Sequence, residues 1–124
     1  MLYRMRLENG EVEPSSSGTW IDADGTVLHL RASDFRMAPT RFWKSKETGG
    51  RYPVEWQVDL PGRRIDFTVK PALEDQELKL GPITYWEGAV DATGTREGKS
   101  ISGRGYLELT GYTGRLKENL GGAR

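Results

Sequence analysis

Residues 83–112, ITYWEGAVDATGTREGKSISGRGYLELTGY, decide the fold. Two strand-like arms flank a polar connection in which Gly94, Gly98 and the residues from Thr93 to Lys99 supply turn chemistry. In the second arm Ile101, Gly103, Gly105, Leu107 and Leu109 fall on one face, and Ser102, Arg104, Tyr106, Glu108 and Thr110 on the other, as a strand's period of two requires. In the first arm Tyr85 and Glu87 share a face opposite Trp86 and Val90. Glycines scattered from Gly88 to Gly111 point to strong coiling, bulges or the close approach of another backbone. The stretch predicts a long closing β-hairpin.

The rest of the chain repeats the theme. Val54, Trp56, Val58 and Leu60 alternate with Glu55, Gln57 and Asp59; Pro61-Gly62-Arg63 turns the chain; Ile65, Phe67 and Val69 alternate with Asp66, Thr68 and Lys70. Near the start, Tyr3, Met5 and Leu7 oppose Arg4 and Arg6, and Asn9-Gly10 reads as a type I′ turn. A second hairpin, Ser17 to Asp22 with Thr26 to Arg31, surrounds Asp22-Ala23-Asp24-Gly25. Asp34 to Trp43 is a strand interrupted by Pro39, hence an edge, a bulge or two short strands. Pro71 to Gly81 is the least regular segment, and its acids Glu74, Asp75 and Glu77 read as a solvated loop or edge. Gly114 to Arg124 reads as a polar, Gly-rich tail, frayed or with one short helical turn. No helical period persists for three turns. The expectation is an all-β, antiparallel, up-and-down barrel of about 8–10 strands over residues 1–113, a size that holds one small ligand.

At 124 residues the chain is one domain on length. Eighteen basic and eighteen acidic side chains cancel and are interspersed, so no basic footprint for nucleic acid exists. Without cysteine, disulfide and thiolate chemistry are excluded and the redox compartment stays open. No apolar run approaches the ~18 residues of a membrane helix, and no signal peptide is visible. The chain opens directly in a strand pattern, which suggests a domain excised from a longer protein.

Most catalytic signatures fail. The single His29 with no cysteine cannot build an ordinary zinc centre. Asp22-x-Asp24-Gly25 lacks the later ligands and closing Glu of a calcium loop. Ser102-Gly103 lies within a strand and forms no nucleophile elbow, and neither Gly103-Arg104-Gly105 nor Gly121-Gly122 opens a phosphate-binding helix. Carboxylates and aromatics remain. Glu87 or Glu108 opposite Arg104 is an ordinary ladder ion pair. The functional alternative is an acid, Glu87, Asp91 or Asp66, held in an apolar interior with a raised pKa so that it can donate a proton. Trp20, Trp43, Trp56, Trp86, Tyr85 and Tyr106 either pack the core or wall a cavity for an extended apolar ligand, with Arg104 as a polar contact.

Tyr85-Trp86-Glu87-Gly88-Ala89-Val90 followed by Gly103-Arg104-Gly105-Tyr106-Leu107-Glu108-Leu109-Thr110-Gly111-Tyr112 resembles the closing signature of the hydroxyneurosporene synthase (carotenoid 1,2-hydratase) and AttH-like family. Ser16-Ser17-Gly18-Thr19, Arg51-Tyr52-Pro53-Val54 and Asp75-Gln76-Glu77 stand in the order that family shows. The resemblance runs from about Leu2 to Tyr112 and is to the C-terminal of two lipocalin-like domains. It implies a bacterial protein, exported or membrane-associated, whose N-terminal lipocalin-like domain is the partner of this one. It further implies a hydratase or other lyase that needs no cofactor, acts on an isoprenoid or lipid-like substrate, and is inactive as this domain alone. Glu87 and Asp91 are then the candidate acids, and Trp43, Trp56, Trp86, Tyr85, Tyr106 and Arg104 the candidate ligand contacts. The alternative is a non-enzymatic lipocalin-like module for a small hydrophobic ligand. Fold likeness alone does not carry the reaction across.

Overall fold

The structure, a computed structural model, describes residues 1–113. The expected tail or helical turn over Gly114 to Arg124 lies outside the described residues. Among the described residues there are nine strands and two short 3₁₀ turns. The strands are β1 (Leu2–Tyr3), β2 (Ser17–Ile21), β3 (Val27–Arg31), β4 (Arg36–Lys44), β5 (Arg51–Leu60), β6 (Ile65–Pro71), β7 (Glu77–Leu80), β8 (Ile83–Arg96) and β9 (Lys99–Thr110). Every ladder is antiparallel. β1-β2-β3 form one sheet, and β4-β5-β6-β8-β9 a second in which β7 joins β8. Within each sheet neighbours follow the chain except that β8 pairs β6 past the short β7, so the up-and-down, all-β reading holds.

Strand β8 is the spine. β9 pairs one edge from Tyr85 to Arg96, while β6 takes residues 90–96 and β7 residues 83–86 of the other. Between β6 and β7 the edge is sealed by Gln76. Its side-chain oxygen accepts from the Ala89 N–H at 2.9 Å and its amide donates to the Ala89 carbonyl at 3.1 Å, imitating a backbone rung. A Cβ on Gly88 would occupy the place of that amide. Gly88→Ala is therefore expected to cost about 1–3 kcal/mol by overpacking. Gly103→Ala, where a Cβ meets open space, should stay within about 0.5 kcal/mol. Urea midpoints of the two variants check the contrast.

Burial follows the alternation read from the sequence. Trp56, Val58 and Leu60 on β5, Ile65 on β6, Trp86 and Val90 on β8, and Leu109 on β9 form one core with Leu30 and Phe35. Leu2 and Trp20 from the smaller sheet pack against it. Each large side chain so buried stabilises by about 1.5–3 kcal/mol before entropy is counted. The hairpin tips are tied by polar contacts: the Trp20 indole donates to Asp22 at 2.7 Å, and Asp22 accepts Arg63 at 3.2 Å. The guanidinium groups of Arg63 and Arg96 lie 5.3 and 5.5 Å from the Trp20 ring. β4 is an edge strand among the described residues, and its register shifts between Pro39 and Phe42, as the proline predicted.

Three local expectations are corrected. The turn between the closing arms is only Glu97-Gly98, both at positive φ (51° and 78°), and the arms run on to Arg96 and Lys99. Gly94 is a strand residue, at the point where the Phe67 backbone leaves no room for a side chain. At Asn9-Gly10 only Gly10 has positive φ, and Leu7 and Glu11 bracket a three-residue loop ending in a glycine bulge rather than a type I′ turn. Finally, Leu2 to Leu7 is not one strand with Tyr3, Met5 and Leu7 inside. The ladder stops at Tyr3 because the Ser16 hydroxyl captures the Met5 N–H at 3.0 Å, and Leu2 and Arg4 turn inward instead.

Candidate functional site

The densest polar constellation surrounds Glu77, the first residue of β7. A glutamate there starts as a half-buried strand end, facing the loop that joins β4 to β5. That loop is pre-shaped by Ser45, whose hydroxyl accepts the N–H groups of Glu47 and Thr48 at 3.2 and 3.1 Å. Its one proton goes to the Glu77 carboxylate at 2.8 Å. Thr48 donates to the other carboxylate oxygen at 2.7 Å, and the Tyr52 hydroxyl donates to that same oxygen at 2.7 Å. Three hydroxyls from 25 to 32 residues away thus converge on one carboxylate.

The electrostatics follow from that arrangement. Burial pushes the Glu77 carboxyl up, but donation from Tyr52, Thr48 and Ser45, with the charge of Lys79, outweighs it and holds the group below the ordinary glutamate range. Burial and the neighbouring Glu77 charge push the Tyr52 phenol far up, so it stays protonated. Glu77 is an ionised hub, unsuited to proton donation, and it fixes the orientation of a ring. Tyr52, with 0% of its surface exposed, stacks on Trp43 at 6.0 Å and 26° and meets Tyr112 at 5.8 Å. Arg6 caps the Tyr112 ring at 4.0 Å. Aromatic faces of this kind stabilise an adjacent cation.

A second tie holds the segment before β7. Arg41, at the β4 bulge, contacts Glu55 at 2.8 Å and both Glu74 oxygens at 2.6 and 3.0 Å. The Arg41 guanidinium holds the Glu74 carboxyl below its usual range. The expected solvated loop or edge holds for the exposed Glu74 and Asp75 and for β7, which is an edge strand, but Glu77 is half-buried and bonded. Glu74 and Glu77 are both anchors for the chain that edges β8.

The residues singled out in the sequence separate into two groups. Trp56 and Trp86 are core: their indole N–H groups donate to the Pro53 and Glu74 carbonyls at 2.7 and 2.8 Å, leaving neither as a free cavity wall. Trp43 belongs to the Tyr52 stack. Glu87, Asp91, Tyr85, Tyr106 and Arg104 lie together on the opposite, outer face of the β8–β9 hairpin. There Arg104 pairs with Asp91 at 3.7 Å, with side chains 92% and 61% exposed, and Tyr106 is 68% exposed. Glu87 sits directly opposite Glu108, so the ladder ion pair falls to Asp91 rather than to either of them. Neither Glu87 nor Asp91 faces the apolar interior. His29 is exposed beside Thr19, and Asp66 is exposed and accepts from Thr95 at 2.9 Å.

Glu77, Tyr52, Tyr112 and Arg6 were missed as site residues. The available signal was positional: Arg51-Tyr52-Pro53-Val54, Asp75-Gln76-Glu77 and the closing Gly111-Tyr112, three of the segments that carry the family resemblance, meet at this cluster.

Comparison with known proteins agrees with the architecture. A family model described as AttH-like matches residues 1–112. The chain is 26% identical over 106 residues to kievitone hydratase of Fusarium solani subsp. phaseoli, covering 83% of this chain and 30% of that protein. Among solved structures it is similar to an AttH-type protein of Nitrosomonas europaea, with a TM-score of 0.73 and 33% identity over 88% of this chain and 33% of that one. The fold also matches kievitone hydratase from Nectria haematococca, with a TM-score of 0.71 and 23% identity over 90% of this chain and 34% of that one. The chain thus spans about a third of the length of each. Among the described residues no helix is long and apolar enough to cross a membrane.

Proposed function

The chain belongs to the AttH-like family, and from that premise we propose that it is the C-terminal lipocalin-like domain of a cofactor-independent hydratase. That enzyme adds water across a double bond of an apolar, isoprenoid or lipid-like substrate. The observation that carries the reading is the similarity to kievitone hydratase, which extends over most of this chain and under a third of that protein. In such a hydration a carboxylic acid protonates one alkene carbon, the neighbouring carbon becomes cationic, and a water captures it and loses a proton. Aromatic faces lower the energy of the cation. Of the cluster, Trp43 is suited to that part: it is half-buried and held by its stack on Tyr52, which Glu77 orients, whereas Tyr52 itself is fully buried and Arg6 covers the Tyr112 ring.

Glu77 is not the acid, because its environment favours the ionised form. Glu87 and Asp91 stand on the outer face of β8, away from the apolar interior. On this reading they gain a catalytic environment only against an N-terminal partner domain, and the 124-residue chain alone is inactive. The test is incubation of the two-domain protein and of this chain with terminal-alkene isoprenoids in isotopically labelled water. Labelled hydrate is expected from the former only. In the two-domain protein Glu87→Gln or Asp91→Asn should lower kcat by about 100-fold or more if that carboxyl is the acid. Turnover by the chain alone would contradict the division of labour, and full activity in both variants would remove both carboxyls from the mechanism.

A further inference from the structure

The break after β1 that turns Arg4 inward also builds a cavity. It measures about 470 Å³, within the range of about 300–1,000 Å³ typical of small-molecule sites. Its walls come from the first hairpin (Val12, Pro14), the 3₁₀ turn Ala32–Asp34 that links the sheets, Phe35 that ends this turn, and Met37 at the start of β4. It shares no lining residue with the Tyr52–Glu77 cluster. Two arginines, Arg4 and Arg36, line it, and no lining residue is acidic.

Arg4 is the telling group. One guanidinium nitrogen donates to the Met37 carbonyl at 2.7 Å, and the guanidinium lies 5.9 Å from the Trp56 ring. Its Nε is buried and, among the described residues, has no acceptor. A cation beside apolar walls is costly unless an anion balances its charge, and an anion in the cavity meets the Nε itself only when the side chain shifts. Ser16, also in the lining, does not serve as an acceptor: its hydroxyl is engaged with the Met5 backbone. The fork geometry of an arginine suits a planar carboxylate.

We propose that this cavity binds an apolar carboxylate, its head on Arg4 and Arg36 and its hydrocarbon body along Val12, Pro14, Phe35 and Met37. The inference is independent of the hydratase reading, because it concerns a different site and needs no turnover. The probe pair is decanoate and decanol, of equal chain length and differing in the head group, titrated calorimetrically into the full chain below their aggregation limits. Decanoate should bind saturably at one site, at least tenfold tighter than decanol, and more weakly as salt rises. Arg4→Met, which keeps the volume and removes the charge, should abolish the preference. Arg36→Gln, at an exposed position, should reduce it severalfold, and it decides the matter should Arg4→Met not fold. Equal binding of the two probes, binding of neither, or a preference unchanged in a folded variant would overturn the proposal.

Discussion

Glu77→Ala is expected to destabilise the domain by about 3 kcal/mol or more, because it strands three hydroxyl donors, two of them on the buried residues Tyr52 and Ser45. The loss comes less from the bonds removed than from the donors left unmet. Tyr52→Phe removes one donor and leaves the carboxylate with two, so it should cost about 1–2 kcal/mol. Urea unfolding of both variants gives the comparison. The pH dependence has a fixed sign. A carboxyl whose folded pKa lies below its unfolded value adds stability that is present above the ordinary glutamate range and is lost as pH falls through the folded pKa. Glu77→Gln should therefore have a shallower acid limb than the parent below about pH 4.3. It does not become flat, since Glu74 beside Arg41 and Asp24 beside Thr26 are shifted in the same direction.

Trp86→Ala is the second large effect, about 3–5 kcal/mol from the cavity and the lost transfer energy of a side chain with 0% exposure. More than the core is lost with it. The indole N–H holds the Glu74 carbonyl at 2.8 Å, and Glu74 in turn is gripped by Arg41. Removing the ring frees the segment that Gln76 and Glu77 pin against β8. Trp86→Phe keeps much of the volume but not the hydrogen bond and should cost less than half as much. Thermal unfolding by circular dichroism distinguishes the two variants.

The strands were legible because alternation is local. Val54 to Leu60 and Ile65 to Val69 announce buried faces without knowledge of any partner, and Asp22-Ala23-Asp24-Gly25 marks a turn by its own chemistry. Tyr3, Met5 and Leu7 misled because the same alternation cannot show that Ser16 interrupts the ladder and reverses which side faces in. The candidate site was hidden for a related reason. Glu77 opens a strand of only four residues, and its partners Ser45, Thr48 and Tyr52 are joined to it only by tertiary structure. Glu87 and Asp91 drew attention as carboxyls in an aromatic stretch, yet strand parity already placed them opposite Trp86 and Val90. That parity was the better guide to the interior.

The central claim is that the carboxylate organising the aromatic cluster is an ionised anchor and not a proton donor. The direct test is NMR titration of the Glu77 side-chain carboxyl carbon, assigned by comparison with Glu77→Gln. A midpoint below the ordinary glutamate value of about 4.3 is the predicted result. A midpoint raised towards neutrality would contradict it and make Glu77 the acid of the site.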